Sequence, residues 1–398
     1  MTVMKEGILR GLRVLDLTRI VAGPFATRVF ADFGAEVIKI QTEKTATGAE
    51  ANATSYFNAW NRNKKSITLN LNHGEAKKLF SRLVAISDIV VENFSPRVMA
   101  NWGLTYGTLK EVKPDIILLS MSGLGQTGPD KDVVAYGPTL QSLGGLTYLT
   151  SFLPEEPSGL GYSYADPMFG LYGAISILGA LEYRDQTGEG GHIDLSGLEV
   201  VCSLIGSELL DAATNNRDVL PTGNDPSHGQ AAPYGCYRCK GTDRWCVIAP
   251  SSEKEWQSLC RVAGHPEWSK DERFFTPSER EKNRRVLDSL LTDWTQNSTA
   301  EEVVQFLQEA GVPAGVVQDA ADLASDPQLQ ARDFFTTFEH SLLGRITSDT
   351  YPFQLPDCHP QEWKAAPLLG EDNEYVFHEL LGLGMEEISR LKEKGIIG

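Results

Sequence analysis

Residues 12–40, LRVLDLTRIVAGPFATRVFADFGAEVIKI, contain a complete strand, helix and strand unit. The apolar run 12–17 predicts a buried strand, 24–33 predict a helix that Gly34 ends, and 35–40 predict the next strand. Gly23 and Pro24 lie at the turn before the helix, where backbone N–H groups can meet a phosphate or another anion. A plain α/β crossover accounts for the same residues, so the turn alone does not define a binding site.

The same alternation continues along the chain. Apolar runs at 66–71, 88–94 and 115–122 predict strands, and a further strand is expected after the glycine-rich turn 187–191. Amphipathic segments between the runs predict helices at 75–87, near 97–102 and at 106–112. The pattern therefore predicts an α/β fold with a doubly wound parallel sheet.

One carboxylate stands at the start of an otherwise uncharged segment, GLGYSYADPMFGLYGAISILGAL at 159–181. Asp166 followed by Pro167 predicts a helix N-cap and a helix from Pro167 to about Glu182. Glycines within this helix indicate that another backbone approaches closely. Two interpretations of Asp166 stay open here, an ordinary N-cap and a poorly hydrated nucleophile.

Composition excludes several classes of partner. The 398-residue chain has 41% hydrophobic residues and a net charge of −17, which indicates a globular protein that binds neither nucleic acid nor an anionic membrane surface. Neither an apolar signal core nor a run of membrane-spanning length is found, so we expect a cytoplasmic protein. Six cysteines without a signal core do not indicate a disulfide framework.

A metal site is not expected either. Cys236 and Cys239 form a CxxC pair, with Cys246 and His228 nearby. On the predicted strand these two cysteines point to opposite faces, and there is no second CxxC pair.

The domain organisation follows from a long polar loop at 215–232, after which the composition changes. A hairpin at 235–249, a helix with a capping box at Ser252 and Glu255, helices at 276–295 and 300–310, and a returning strand at 311–317 predict an inserted α+β domain. We therefore expect a large α/β domain at 1–224, a small domain at 225–325, and a segment at 326–398 that returns to the large domain.

A glycine motif suggests a different class of enzyme. Gly123, Gly125 and Gly128 in GLGQTGP match GxGxxG, which would indicate an NAD-dependent oxidoreductase. The polar residues that follow do not predict the required helix, and no suitably placed acidic residue follows a strand to hold a ribose. This function is kept as an alternative.

Taken together, the motifs resemble the family III CoA-transferases, which include formyl-CoA transferase, carnitine CoA-transferase and, by common fold, α-methylacyl-CoA racemase. The resemblance covers essentially the whole chain. It is carried by residues 12–40, NRNKKSITLNL, DIVVENFSP, GLGQTGP, Tyr136, the Asp166 segment through ALEYRDQTGEGG, GVPAG and APLLGE.

The resemblance implies that Asp166 is a nucleophile, forming first a mixed anhydride and then an aspartyl-CoA thioester. It implies acyl-CoA and carboxylic acid substrates, no tightly bound cofactor, and an interlocked dimer, either a homodimer or a heterodimer with a paralogous subunit. The matching CoA-binding positions are Ile20, Val21, Ala22, Asn93, Phe94 and Tyr136, with Arg97 nearby. The loop that covers the intermediates in the family corresponds to Gly223–Gly229, including His228.

The chain also departs from the family pattern. Val21 replaces a glutamine, and the phosphate-binding positions fall on Thr42, Asn101 and Val134. The basic residues that could substitute are Lys39, Lys44, Arg62, Lys64, Lys65 and Arg97.

A racemase or epimerase acting at the acyl α-carbon is the alternative nearest in chemistry. Such an enzyme needs two bases, and the racemase branch has a histidine at the position of Tyr136. This chain has no histidine between His73 and His192, and a tyrosine is a weak base at neutral pH.

Overall fold

A computed structural model describes residues 7–224, 232–354 and 363–398. The chain divides into two compact units. The first comprises Met1–Thr147, Gly159–Asp218 and Arg332–Gly398, and the second comprises Tyr148–Ser158 and Val219–Ala331. Tyr148–Ser158 thus packs with the second unit, whereas the domain prediction places this segment in the large domain.

The strands of the described chain are β1 Arg13–Asp16, β2 Glu36–Gln41, β3 Lys65–Thr68, β4 Ile89–Glu92, β5 Ile117–Ser122, β6 Gly191–Ser196, β7 Gly235–Arg238, β8 Trp245–Ile248, β9 Ala314–Val316, β10 Phe335–His340 and β11 Gly344–Asp349.

The helices are α1 Ala22–Asp32, α2 Ser55–Asn61, α3 Gly74–Ala85, α4 Arg97–Trp102, α5 Tyr106–Val112, α6 Gly137–Leu143, α7 Leu146–Leu149, α8 Ala165–Thr187, α9 Gly197–Leu204, α10 Gly206–Asn215, α11 Glu253–Val262, α12 Pro277–Lys282, α13 Arg284–Thr295, α14 Ala300–Glu309, α15 Ala320–Ala324, α16 Pro327–Ala331 and α17 Met385–Glu393. Short 3₁₀ turns lie at Gly48–Glu50 and Pro266–Lys270, and a π-helical turn lies at Tyr375–Leu380.

Six parallel strands form the sheet of the first unit, in the order β3-β2-β1-β4-β5-β6. The prediction of an α/β fold with a doubly wound parallel sheet is confirmed. The strand order reverses between β1 and β4, and ligands of such folds bind outside the carboxyl ends of the strands at this reversal.

Alternation of side chains along the strands divides the core of the first unit into two layers. Leu15, Ile38 and Val90 lie in one layer with the apolar side of α3. Their sequence neighbours, such as Val14 and Val91, lie in the other layer with α1 and α8. Both faces of the sheet are therefore covered by helices, which explains why its strands read as continuous apolar runs.

The second unit contains a three-stranded antiparallel sheet in the order β7-β8-β9. The capping box of Ser252 and Glu255 at the start of α11 is confirmed. The helical range predicted at 276–295 contains two helices, α12 and α13, which are separated at Asn283. The Asn283 amide donates to the carbonyl oxygens of Glu279 and Arg273, which stabilises the break.

Charged side chains are buried beneath the end of β1. The Lys64 Nζ donates to Asp16 Oδ2 at 2.9 Å, to the Pro24 carbonyl at 2.9 Å and to Asn61 Oδ1 at 2.8 Å. The Lys39 Nζ lies 3.9 Å from Asp16 Oδ2 and donates to the Thr18 carbonyl. Burial raises the pKa of Asp16, but these two ammonium groups outweigh it and hold that pKa well below its usual value.

Removing Lys64 from its ion pair with Asp16 should destabilise the first unit strongly. Lys64→Met leaves the Asp16 carboxylate buried without its nearest cation, and we expect a loss of about 3–5 kcal/mol in the free energy of unfolding. The adjacent Lys65 is partly exposed and lies 3.4 Å from Asp372, so Lys65→Met should lose less than about 1 kcal/mol. Urea unfolding of both variants measures the difference, and equal losses would contradict the importance assigned to Lys64.

Candidate active site

A cavity of about 300 Å³ lies at the carboxyl ends of β1, β4 and β5, where the strand order reverses. Its lining comes from the end of β5, from the loops after these strands, from α6 and from the start of α8. The residues that line it are Arg19, Ile20, Val21, Ala22, Asn93, Phe94, Ser95, Pro96, Met121, Ser122, Gly123, Lys131, Val133, Val134, Ala135, Tyr136, Leu140, Asp166 and Phe169.

The loop after β1 is held in one conformation by side chains from elsewhere in the unit. Asn93 accepts from the Arg19 N–H at 2.8 Å and donates to the Arg19 carbonyl at 2.8 Å. Ile20 has a φ of 69°, which is unusual for a β-branched residue, and its N–H donates to Glu50 Oε1 at 3.0 Å. These contacts fix the approach of Ile20, Val21 and Ala22 to the cavity.

Asp166 lies in the first turn of α8 rather than at its cap. The helix begins at Ala165 with Tyr164 as the N-cap residue, so the predicted capping role of Asp166 is wrong. The Ala165 N–H donates instead to Gln141 Oε1 at 3.2 Å, and Asp166 Oδ2 accepts from the Ser163 hydroxyl at 2.5 Å. The carboxylate is therefore free of the capping role.

The surroundings of Asp166 favour a reactive carboxylate. Burial raises the pKa of Asp166, and the hydrogen bond from Ser163 opposes this shift in part. Its position at the N-terminus of a long helix also stabilises the ionised form. Asp166 is thus a more basic carboxylate than one in water, and a stronger base of this kind is a better nucleophile.

Glycines allow the close packing that brings Asp166 to the cavity. A Cβ atom on Gly137 would lie 1.6 Å from Ser163 Oγ and 2.4 Å from Asp166 Oδ2, so any larger residue there would force these two side chains to move. A Cβ on Gly170 would lie 2.7 Å from the Ala22 carbonyl oxygen, and one on Gly173 would meet Met121. The prediction that another backbone approaches α8 is confirmed at Gly170, whereas Gly179 faces open space.

Most of the residues proposed from the sequence meet in this cavity. Asp166 lines it together with Ile20, Val21, Ala22, Asn93, Phe94 and Tyr136. Arg97 is the exposed first residue of α4 and is not among the lining residues. Gly223 lies in the second unit with a φ of 60°, and His228 and Gly229 lie outside the described residues, so the covering loop stays a prediction.

Three of the basic residues considered for the CoA phosphates cannot reach a ligand. Lys39, Arg62 and Lys64 are buried, and each is paired inside the first unit. Arg19 and Lys131 line the cavity instead. Sequence reasoning missed both, although Arg19 directly precedes the predicted CoA-binding residues.

A second cavity of about 240 Å³ lies at the ends of β1, β2 and β3. It shares Arg19 and Phe94 with the first cavity, and Thr42, Glu50 and Trp102 also line it. The two cavities together could hold the two ends of one elongated ligand.

The glycine motif of the oxidoreductase alternative does not lead into a helix. Gly125 and Gly128 both have positive φ, and the next helix begins only at Gly137.

Across 7–224, 232–354 and 363–398, no group of three His, Cys, Asp or Glu side chains is arranged to hold a metal ion. Among the described helices, none has the length and apolar character needed to cross a bilayer.

Comparison with known proteins adds independent findings. The model of CoA-transferase family III matches residues 9–373. A succinyl-CoA–D-citramalate CoA-transferase of Chloroflexus aurantiacus is 32% identical, over 98% of this chain and 98% of that protein. A probable CoA-transferase of Mycobacterium tuberculosis is 34% identical over 96% of this chain, which spans about half (49%) of that protein's length. The crystal structure of a CAIB/BAIF family protein from Brucella suis superposes with a TM-score of 0.86 and 31% identity, covering 94% of this chain and 100% of that one.

Gly137 provides a steric test of this geometry. Gly137→Ala should force Ser163 and Asp166 apart from α6, and we expect a loss of about 1–3 kcal/mol in the free energy of unfolding. Gly179→Ala, within α8 and facing open space, should instead gain up to about 1 kcal/mol from its higher helix propensity. Denaturant unfolding of both variants decides the matter, and a neutral Gly137→Ala would show that α6 and α8 are less closely packed.

Proposed function

Because the chain belongs to CoA-transferase family III and is an enzyme of that class, we propose that it transfers CoA from an acyl-CoA to a carboxylic acid through a covalent intermediate on Asp166. The observation that carries this proposal is the position of Asp166. Its half-buried carboxylate lines one cavity with the six residues expected to bind CoA.

In the first half-reaction an Asp166 oxygen attacks the thioester carbonyl of the donor. The carbon–sulfur bond breaks, the CoA thiolate leaves, and the acyl group remains on Asp166 as a mixed anhydride. The thiolate then attacks the aspartyl carbonyl. This step releases the donor acid and leaves an aspartyl-CoA thioester.

The second half-reaction runs through the same steps in reverse. The acceptor carboxylate attacks the aspartyl-CoA carbonyl, which displaces the thiolate and forms a second mixed anhydride. The thiolate attacks the acceptor's carbonyl carbon, giving the new acyl-CoA and free Asp166. No proton is gained or lost in these steps, so the reaction needs no dedicated general base.

Two features of the cavities support CoA as the ligand. Held by Asn93 and Glu50, the loop Arg19–Ala22 presents the N-terminus of α1, which suits an anionic or carbonyl group. The second cavity adjoins through Arg19 and Phe94, and it offers room for the nucleotide end of CoA while the thioester lies beside Asp166. The Arg19 guanidinium is then placed between the two ends.

The substrate pair is open to direct measurement. The Chloroflexus relative is named for succinyl-CoA and D-citramalate, so we propose that succinyl-CoA with hydroxy-dicarboxylic acids is the first combination to test. A wider panel of acyl-CoA donors and carboxylic acids, with detection of new thioesters by mass spectrometry, would identify the preferred pair.

Asp166→Asn tests the nucleophile. The amide cannot form the anhydride, so we expect CoA transfer to fall by at least about 1,000-fold. Asp185→Asn changes an exposed carboxylate on the same helix and should retain activity. A covalent adduct of wild-type enzyme with acyl-CoA, cleaved by hydroxylamine to a hydroxamate at Asp166, would identify the intermediate directly. An adduct at another carboxylate would refute the mechanism.

The raised pKa of Asp166 also predicts how Asp166→Asn changes the stability of the protein. Because burial raises its folded-state pKa above 3.8, the folded protein binds more protons than the unfolded chain between these two values. Ionised Asp166 therefore lowers stability at neutral pH, and this effect shrinks as the pH falls below the folded pKa and is gone below the unfolded value of 3.8. Asp166→Asn should melt at the same temperature as wild type or higher at pH 7, and this difference should shrink towards pH 4.

We further propose that the chain functions as a dimer. One side of α8 packs on the core, whereas Leu171, Tyr172, Ile175 and Leu178 of the same helix are exposed, Ile175 by 65%. A stripe of exposed apolar side chains on a long helix is typical of a protein–protein interface. Analytical ultracentrifugation should show a dimer, and Ile175→Lys should weaken it. A wild-type monomer at micromolar concentration would overturn this proposal.

A further inference from the structure

Ser122 is the last residue of β5 and lines the cavity that Asp166 also lines. Its side chain is buried, with 4% of the residue exposed. The hydroxyl oxygen is itself inaccessible to solvent and has no hydrogen-bond partner among the residues that the structure describes. A buried hydroxyl in this state is unfavourable, and in native proteins such a group is expected to have a partner that the ligand-free chain does not supply.

Ser120 provides an internal comparison, because it lies on the same face of the same strand two residues earlier. Ser120 is buried to a similar degree, but its hydroxyl lies 3.0 Å from His192 Nε2. It also hydrogen-bonds the Glu92 carboxyl group. The chain therefore satisfies the serine that lies away from the cavity and leaves unpaired the one that lines it.

Two polar side chains in this region, Gln141 and Asn93, already have partners of their own and are not available to the Ser122 hydroxyl. Gln141 Oε1 is occupied by the Ala165 N–H, and Asn93 is occupied by both backbone groups of Arg19. Ser122 lies on the face of β5 that carries Ser120, whereas Met121 lies on the other face with Phe169, and the described chain offers the Ser122 hydroxyl no partner. Because this oxygen is enclosed in the ligand-free chain, the Ser122 side chain must turn toward the cavity to donate to a ligand atom that accepts a hydrogen bond there.

We propose that Ser122 donates its hydroxyl hydrogen to the carbonyl oxygen of the acyl group that is bound in this cavity. The inference rests on the proposed binding of acyl-CoA beside Asp166. When Asp166 attacks the acyl carbon, the carbonyl oxygen gains negative charge as its double bond opens, and the hydrogen bond from Ser122 strengthens at that moment. The charge returns to the carbon–oxygen bond when the thiolate leaves, and Ser122 keeps its proton throughout.

Two unreactive ligands separate this contact from CoA binding in general. Acetonyl-dethio-CoA keeps the carbonyl oxygen of an acetyl thioester but cannot transfer an acyl group, and S-ethyl-CoA lacks that oxygen. Calorimetry should show that wild-type protein binds the ketone more tightly than the thioether. In Ser122→Ala the ratio of the two affinities should fall close to one, while the affinity for S-ethyl-CoA stays within about twofold. The expected loss in the rate of acyl transfer to Asp166 is about 100-fold.

Ser120→Ala is the matched control, because it removes a hydroxyl that already has partners. It should lower the melting temperature and leave the affinity ratio of the two ligands unchanged. Ser122→Ala should melt at the wild-type temperature or above it, since it removes an unpaired buried group. This opposite pattern distinguishes a ligand contact from a structural role, which would lower the melting temperature in both variants.

The outcomes also separate this inference from the proposed function. An affinity ratio near one in the wild type, or a ratio unchanged in Ser122→Ala, would overturn the role of Ser122 even if Asp166→Asn abolishes CoA transfer. Conversely, a ratio lost in Ser122→Ala would support the Ser122 contact even if no acid in the substrate panel accepts CoA from this protein.

Discussion

The buried carboxylate of Asp16 joins the elements on which the candidate site is built. It accepts from the Lys64 ammonium, from Thr18 in the loop after β1, and from the Thr27 hydroxyl of α1 at 2.7 Å. One side chain thus ties the end of a central strand to the next loop, to the following helix and to the residue before β3. Because a buried charge without partners is unfavourable, these elements are held together, and the strained Ile20 backbone has little freedom to relax.

The approach of α8 is a second constraint, and it depends on residues without side chains. Gly170 lets the helix lie against the start of α1, and Gly137 lets α6 lie against Asp166 and Ser163. Glycine lowers helix propensity, so α8 is less stable in isolation than an alanine-rich helix would be. The same close packing brings the Asp166 carboxylate to a cavity that is lined by the loops after β1, β4 and β5. The site therefore depends on tertiary packing rather than on any single local motif.

This dependence explains which features could be predicted from the sequence. The strands and the parallel sheet follow from buried apolar runs that alternate with amphipathic helices, and this pattern is local. The pair Asp166-Pro167, by contrast, predicts an N-cap at Asp166, because Asp-Pro is a strong local signal. In the structure the backbone N–H of Ala165, the first residue of α8, donates instead to the side chain of Gln141, 24 residues earlier. Lys39 and Lys64 looked available for phosphates because their pairing with Asp16 is not visible in a linear sequence.

The distribution of satisfied and unsatisfied polar groups separates residues that position the site from residues that meet a ligand. The side chains of Asn93, Glu50 and Gln141 form hydrogen bonds with backbone groups, which fixes the loops before any ligand binds. The Asp166 carboxyl accepts from Ser163 and is otherwise disfavoured by burial, and Ser122 has no partner in the described chain. Groups that are already held in place and incompletely solvated can stabilise charge that develops during a reaction without first reorganising. The unpaired hydroxyl of Ser122 and the buried carboxylate of Asp166 are unfavourable in the free protein, and under the proposed function both groups act on a bound thioester.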